Sequence, residues 1–284
     1  MRHFLLILSL TIFSTQAIAQ DNGPYVIYNS KGKKVSYKKM MKQLAKQDLV
    51  FFGELHNNPI SHWLQFEVTS ALNAERKLVL GAEMMESDNQ EQLNQYLKGE
   101  IDQKGLDTLA RLWNNYATDY KPLIDIAKQN QLKFIATNIP RRYASMINSK
   151  GFEALDALDK EEKAWIAPTP FPFDAELPRY KNILDMMAGH ATPNLVKAQA
   201  SKDATMAHFI LQNWTPGELF IHYNGAYHSD FHEGILWYVN ESKPGLNMLT
   251  ISTVEQADIT KLSSDFIGQA DFIICVDQNM TKTY

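Results

Sequence analysis

Short apolar runs spaced along the chain are the strongest pattern in this sequence. Seven of them have the length and the β-branched and aromatic content of buried strands. They cover residues 25–29, 49–53, 78–84, 133–138, 218–225, 248–253 and 272–277. Because the runs are apolar at consecutive positions, they are typical of strands covered on both faces, as in a parallel sheet.

Helical patterns lie between these strands. One follows the second strand, with Asn58 as a suitable N-cap and Pro59 at the first helical position. Others are predicted over residues 87–98, beginning at Ser87 as cap, over 120–130, and from Pro193 onward. The alternation of strand and helix predicts an α/β fold, with a largely parallel central sheet and helices on both faces.

The middle of the chain, about residues 85–212, is mostly helical in pattern. We expect residues 85–130 and 140–212 to be helical excursions that pack over one edge of the sheet and form a lid. Residues 167–178, "APTPFPFDAELP", contain four prolines, which preclude a regular helix or a central strand there. No segment reads as a linker, so residues 20–284 are predicted to form a single domain.

Residues 1–19 have the pattern of a signal peptide. A basic start precedes the apolar run "FLLILSLTIF", and Ala17-Ile18-Ala19 is a small-x-small cleavage site. An uncleaved amphipathic anchor is the alternative. We expect cleavage after Ala19 and a periplasmic or secreted protein. No cysteine stands near the cleavage site, so the lipobox of a lipoprotein is lacking.

Composition and cysteine content exclude several classes of function. The 284 residues carry a net charge of −4, which gives no sign of the basic face that nucleic-acid binding requires. Cys275 is the single cysteine, so an intramolecular disulfide and a cysteine-based metal site are excluded. Neither a Gly-x-Ser-x-Gly nucleophile elbow nor a phosphate loop is present.

Polar side chains cluster at the ends of the predicted strands, where open α/β sheets place their ligands. They are Glu54, His56, Glu83, Asn138, Arg141, His222, Asn224 and His228. Two Gly-x-x-His units, residues 53–56 and 225–228, each close a strand, and glycine permits the tight turn and close backbone approach. Gln199 and Asp203 share one face of a predicted helix. A lone histidine is more often structural, but the whole set indicates a polar cleft.

Six sequence blocks occur together in an order that is seen in one family. They are "FFGELHNNPISHWLQ", "GAEMME", "YKPLIDIAK", "IATNIPRR", "QASKDATMAH" and "HYNGAYHSDFHEGI". Over about residues 30–280 the chain resembles the ChaN-like haem-binding uptake proteins. Their superfamily also holds TraB-like proteins, TIKI-type proteases and erythromycin-esterase-like enzymes. The resemblance implies an α/β fold and haem uptake at the bacterial envelope, by a dimer that sandwiches haem with tyrosine ligation.

Carried over residue by residue, the resemblance implies one cleft and a set of groups around it. The cleft residues are Glu54, His56, Glu83 and His228. The surrounding residues that would bind a cofactor are Asn138, Arg141, Gln199 and Asp203. The tyrosine on haem iron stays open among Tyr116, Tyr120, Tyr143 and Tyr227; Tyr143 and Tyr227 are included among the cofactor-binding candidates.

Two functions follow from these residues. The first is a haem-binding protein of iron acquisition, with an arginine near the propionates and a phenolate or imidazole on iron. Its partners would be an outer-membrane haem receptor and a second copy of the chain. The alternative is a hydrolase. It would either hold a divalent metal with His56, His228, Glu54 and Glu83, or use a glutamate whose pKa is raised by its like-charged neighbour as general base.

Overall fold

Seven strands form one sheet in the computed structural model, which describes residues 23–186 and 192–284. They are β1 (Tyr25–Asn29), β2 (Leu49–Glu54), β3 (Leu78–Glu86), β4 (Lys133–Asn138), β5 (Leu219–Gly225), β6 (Met248–Gln256) and β7 (Phe272–Asp277). Their order across the sheet is β1-β7-β6-β2-β5-β3-β4. β1 pairs antiparallel with β7, and the other pairings are parallel. The predicted strands and the largely parallel α/β fold are confirmed.

Ten α-helices connect the strands within the described residues. They are α1 (Tyr37–Leu44), α2 (Pro59–Asn73), α3 (Gln90–Lys98), α4 (Gln103–Leu109), α5 (Lys121–Gln129), α6 (Arg141–Lys150), α7 (Lys160–Lys163), α8 (Pro178–Met186), α9 (Pro193–Asn213) and α10 (Ile235–Ser242). Asn58 caps α2 as predicted, because its side chain accepts a hydrogen bond from the Ser61 amide at 3.0 Å.

The predicted helix start at Ser87 is wrong. Residues Ser87–Asn89 form a single 3₁₀ turn, and α3 begins only at Gln90. The Ser87 hydroxyl donates to the carbonyl oxygen of Trp165 at 2.5 Å, so it makes a long-range contact instead of a helix cap. The helix predicted over 120–130 begins at Lys121, directly after a π-helical turn, Tyr116–Tyr120.

Both faces of the sheet are covered, as the apolar runs predicted. In β2 the side chains of Val50 and Phe52 enter one core, which α2 and α5 also line, whereas Leu49 and Phe51 enter a second core with α9 and α10. Consecutive residues of a strand point to opposite faces. All six residues of β2 are buried, so this strand lies at the centre of the domain.

The helical middle packs around the edge of the sheet that β4 forms, and it covers both faces there. Ile124 of α5 belongs to the core on one face of the sheet, whereas Ala204 of α9 belongs to the core on the other face. The two excursions therefore lie on opposite faces of the sheet, and their role as a lid stays a prediction. The reason is that each excursion carries its own amphipathic helix, which buries its apolar stripe on the nearest free face.

The remaining sequence predictions concern the proline-rich segment, Cys275 and the signal peptide. The proline-rich residues 167–177 contain no helix or strand, and α8 begins at Pro178. Cys275 is buried in β7. The signal peptide over residues 1–19 lies outside the described residues. Within 23–186 and 192–284, no helix is both long and apolar enough to cross a membrane.

Candidate functional site

The carboxyl ends of β2, β3 and β5 lie side by side and open onto a cavity of about 1060 Å³. This is the edge of a parallel sheet at which ligands bind in α/β proteins. Seven of the predicted site residues line the cavity: His56, Glu83, Asn138, Arg141, Gln199, Tyr227 and His228. The sheet therefore brings together side chains that lie up to 172 positions apart in the sequence.

Glu54 and His56 form the first unit of the site. Glu54 ends β2 and is buried; its Oε1 accepts hydrogen bonds from His56 Nδ1 at 2.9 Å and from the Tyr120 hydroxyl at 2.8 Å. Its Oε2 accepts from Gln65 Nε2 at 2.6 Å. These bonds fix both the carboxylate and the orientation of the imidazole. His56 Nε2, at the cavity, has no hydrogen-bond partner in the part of the chain that the structure describes.

Electrostatics favour the charged forms of Glu54 and His56. Burial opposes ionisation of Glu54, but the hydrogen bond from His56 and the charges of the nearby imidazoles outweigh it and lower the pKa of the carboxyl. Burial likewise opposes protonation of His56, but its hydrogen bond to Glu54 and the negative charge of Glu83 raise the pKa of the imidazole. His56 therefore holds its proton to a higher pH than a free imidazole does.

His228 and two carboxylates form the second unit. His228 Nδ1 lies 2.5 Å from Asp203 Oδ1, and His228 Nε2 lies 3.2 Å from Glu83 Oε1. The Tyr180 hydroxyl donates to the other oxygen of Asp203 at 2.8 Å, and the Gly225 amide donates to Glu83 Oε2 at 2.7 Å. An imidazole that has a carboxylate at each nitrogen is held as an imidazolium.

The pKa values of this second unit depart far from the ordinary ones. Burial disfavours the charged imidazole, but the charges of Glu83 and Asp203 and the hydrogen bonds to them raise the pKa of His228 to about 10. Burial also opposes ionisation of Glu83, and the charge and hydrogen bond of His228 overcome it and hold the pKa of Glu83 well below its usual range. The expected glutamate of raised pKa is therefore wrong, because a histidine of raised pKa stands beside each glutamate and lowers the pKa of its carboxyl.

Gly225 is the point at which the two units meet. A Cβ atom at this position would lie 2.8 Å from His56 Nε2 and 3.4 Å from Glu83 Oε2. The first distance is shorter than any ordinary contact, so only glycine allows the imidazole to approach the strand so closely. Residues 225–228 therefore have two roles. They supply His228 to the second unit of the site, and their glycine leaves the space that His56 of the first unit occupies.

The predicted metal site is not supported. Among the residues that the structure describes, no three or more His, Cys, Asp or Glu side chains are arranged to hold a metal ion. The predicted set was Glu54, His56, Glu83 and His228. Both nitrogens of His228 face carboxylates, and a protonated imidazole has no lone pair for a metal.

Three predicted cofactor-binding residues have other contacts. Asp203 does not line the cavity, because it lies behind His228. Tyr143 is buried away from the cavity, and its hydroxyl donates to Glu162 at 2.9 Å. Tyr227 does line the cavity, but its hydroxyl donates to the carbonyl oxygen of Arg179 at 2.6 Å. Of the other two tyrosine candidates, neither Tyr116 nor Tyr120 belongs to the cavity lining of the described chain.

Several site residues were not identified as such from the sequence. Trp113 packs against His56, with ring centroids 4.9 Å apart. Tyr120, which the sequence offered only as a candidate haem ligand, donates a hydrogen bond to Glu54 instead. Tyr180 supports Asp203, and Lys202 and Tyr284 line the cavity. No strand-end pattern marked these residues in the sequence, because they come from loops and helices.

The comparison with known families agrees with the sequence blocks. Residues 40–239 match the family described as haem-binding uptake, Tiki superfamily, ChaN. A curated relative, protein RETICULATA-RELATED 5, chloroplastic, from Arabidopsis thaliana, is 24% identical over 214 residues, which are 68% of this chain and 29% of that protein. The chain therefore spans less than a third of that relative's length.

Solved structures share the fold. A structure of Campylobacter jejuni ChaN, described by its cofacial haem binding, is 17% identical with a TM-score of 0.67, covering 90% of this chain and 98% of that one. An erythromycin esterase mutant in its open conformation is 9% identical with a TM-score of 0.54, covering 91% and 98%. A Bacillus cereus protein is 12% identical with a TM-score of 0.52, covering 84% and 90%. At these identities, the likeness shows the fold alone.

Proposed function

This chain belongs to the ChaN family of haem-binding uptake proteins in the Tiki superfamily, and from that membership we propose that it is an exported haem-binding protein of bacterial iron acquisition. The observation that carries the proposal is the cavity at the carboxyl ends of β2, β3 and β5. Its volume of about 1060 Å³ is at the upper end for sites that bury a cofactor-sized molecule.

The side chains of the cavity fit a flat apolar ligand. One part of its wall is apolar and consists of Leu112, Trp113, Ile139, Ile183 and Leu195. Such a wall removes the porphyrin ring from water, which is the main source of affinity for an apolar ligand. Polar side chains such as Glu83, Asn138 and His228 line the same cavity, so apolar and polar surfaces face one space.

His56 is the side chain best placed to bind the iron. Its Nδ1 donates to Glu54, and its Nε2 has no partner among the described residues. A histidine that binds a metal usually donates its other ring N–H to a carboxylate, which fixes the ring and increases its basicity. Tyr227 is the competing ligand, but its hydroxyl is engaged with Arg179. The porphyrin would supply the Soret absorption by which binding is measured, and a change of iron ligand would shift that band.

Titration of the purified chain with haem tests the proposal. We expect a Soret band displaced from that of free haem and saturating at micromolar concentration. Bovine serum albumin at the same concentration serves as the control for nonspecific partition of haem. A wild-type protein that causes no change beyond this control would contradict the proposal.

Haem affinity is predicted to rise with pH. Protonated His56 cannot donate a lone pair to iron, and its pKa lies above the 6.5 of a free imidazole. Affinity should therefore be lowest in acid and increase as His56 loses its proton. Dissociation constants measured from about pH 5.5 to about pH 9 should show this rise in the wild type and a flatter profile in His56→Ala. Equal profiles for both proteins would contradict ligation by His56.

Export, a receptor and dimerisation belong to the same proposal. The signal-peptide pattern of residues 1–19 supports export, and an outer-membrane haem receptor would then supply or receive the ligand. Cell fractionation with antibody detection tests the location. Light scattering of the purified protein with and without haem tests whether two copies assemble around the ligand.

A metal-free hydrolase is a second candidate, favoured by the gap at Gly225. His56 Nε2 and Glu83 Oε2 both border the space that a Cβ would fill. In its neutral form, His56 would take a proton from a water there, with Glu54 orienting the imidazole. Release of product from an ester, lactone or peptide, abolished in Glu54→Gln, would support this function. Absence of turnover with esters, lactones and peptides would count against this function.

A further inference from the structure

The first turn of α6 opens onto the cavity without a side-chain cap. Residue Pro140 stands at the N-cap position, and the backbone amides of Arg141 and Arg142 have no acceptor within the described chain. Asn138, Arg141 and Ala144, which flank or belong to this turn, line the cavity. Free amides and the positive end of the helix dipole at such a terminus attract anions.

Asn138 provides a second, independent sign of a ligand. It ends β4 and is only 8% exposed, yet its Oδ1 has no hydrogen-bond partner in the described structure. A buried polar atom without a partner is costly, and such atoms are often completed by a ligand. The amide also carries an NH₂ group, and a half-turn about its last bond exchanges the two, so Asn138 can donate a hydrogen bond to an anion.

The charges of the cavity favour the same kind of ligand. Its two glutamates, Glu83 and Glu86, each have a basic partner within 3.2 Å. Arg141 and Lys202 also line the cavity, and neither has an acidic partner among the residues that the structure describes. The cavity therefore has a cationic side chain outside any ion pair of the described residues at the first turn of α6, and a second one on α9 whose charge also acts on Glu83.

We propose that the first turn of α6, together with Asn138, Arg141 and Lys202, is a carboxylate-binding subsite of this cavity. Arginine binds a carboxylate through two parallel N–H bonds, and lysine adds a mobile positive charge. The carboxylate comes either from the propionates of haem or from a small organic acid. In the first case the subsite rests on the proposed haem function and fixes the orientation of the porphyrin edge.

The decisive comparison is between the two ends of α6. Arg141→Gln removes the subsite cation, whereas Lys150→Gln removes an equal charge from the exposed last turn of α6, outside the cavity lining of the described chain. We expect Arg141→Gln to weaken haem binding by about 10-fold to 100-fold, as for other charged hydrogen bonds, and Lys150→Gln to leave it unchanged. The dimethyl ester of haem, which lacks free carboxylates, should bind to both variants and the wild type equally weakly.

A haem-free measurement separates the subsite from the haem function. Citrate at constant ionic strength should raise the thermal midpoint of the wild type and of Lys150→Gln, but not of Arg141→Gln. This result in a protein that binds no haem would support the subsite with a small acid as ligand and reject the haem function. The subsite would be overturned if haem and its dimethyl ester bound equally well to the wild type and to Arg141→Gln, and citrate had no effect on the thermal midpoint. The haem function would then still stand.

Discussion

Replacing His228 by alanine is expected to lower the free energy of unfolding by about 3–5 kcal/mol, because two buried carboxylates lose the cation between them. Glu83 and Asp203 are 5% and 1% exposed, and each contacts one nitrogen of His228. Water cannot replace the lost charge at this depth without a rearrangement of the site. Urea denaturation of the wild type and the variant at neutral pH measures the difference.

The loss of unfolding free energy in His228→Ala should depend on pH in a defined direction. The pKa of His228 is about 10 in the folded protein and near 6.5 in an unfolded chain. The folded state therefore binds the extra proton, so the stabilisation is complete below about pH 6.5 and is lost as pH rises towards about 10. The difference in stability between wild type and His228→Ala should shrink over this range.

His232 offers the matched control. It pairs with Asp271 at 2.9 Å, but both side chains are well exposed to water. Exposed ion pairs contribute at most about 1 kcal/mol. His232→Asn also retains a residue type that tolerates the positive φ of 61° found there. If His228→Ala cost no more than His232→Asn, the buried imidazolium would not be the centre of this site.

Gly225→Ala is the second change with a large expected effect. The new methyl group would lie 2.8 Å from His56 Nε2, so the imidazole must move away from the strand. Overpacking of this kind costs about 1–3 kcal/mol. If haem binding requires His56 in its present position, this energy lowers the affinity for haem by about 5-fold to 150-fold. Haem titration monitored at the Soret band measures the loss.

A glycine elsewhere separates this effect from general destabilisation. Gly105 lies in α4, outside the cavity lining of the described chain, and the Cβ of an alanine there would meet Ile101 at 3.0 Å. Gly105→Ala should therefore leave haem affinity unchanged. Wild-type affinity in Gly225→Ala, with the pH profile of the wild type, would show that the gap beside His56 plays no part in binding.

The sheet was predictable because its strands are unusually apolar and are followed directly by carboxylate, imidazole and amide side chains. Runs such as residues 49–53 stand out against the helices, and the glycine of each Gly-x-x-His unit marks a place where backbone and side chain approach closely. Parallel topology then puts Glu54, His56, Glu83 and His228 at one edge. This inference needs only strand direction and adjacency.

The partners of those residues were not predictable in the same way. The sequence suggested a glutamate whose pKa is raised by its like-charged neighbour, but packing places a histidine beside each glutamate and lowers both pKa values. The acid behind His228 is Asp203, which comes from α9, a helix on one face of the sheet. Which side chain fills the space between two charges depends on three-dimensional packing, which strand and helix periodicity do not specify.

The most direct measurement is a haem titration of three proteins: the wild type, His56→Ala and Tyr227→Phe. All three keep the apolar wall of the cavity, so differences in the spectra report the iron ligand. We predict matching Soret spectra for wild type and Tyr227→Phe, a lost or displaced spectrum for His56→Ala, and its partial recovery with added imidazole. No haem-induced change in the wild type, or a loss confined to Tyr227→Phe, would contradict haem binding through His56.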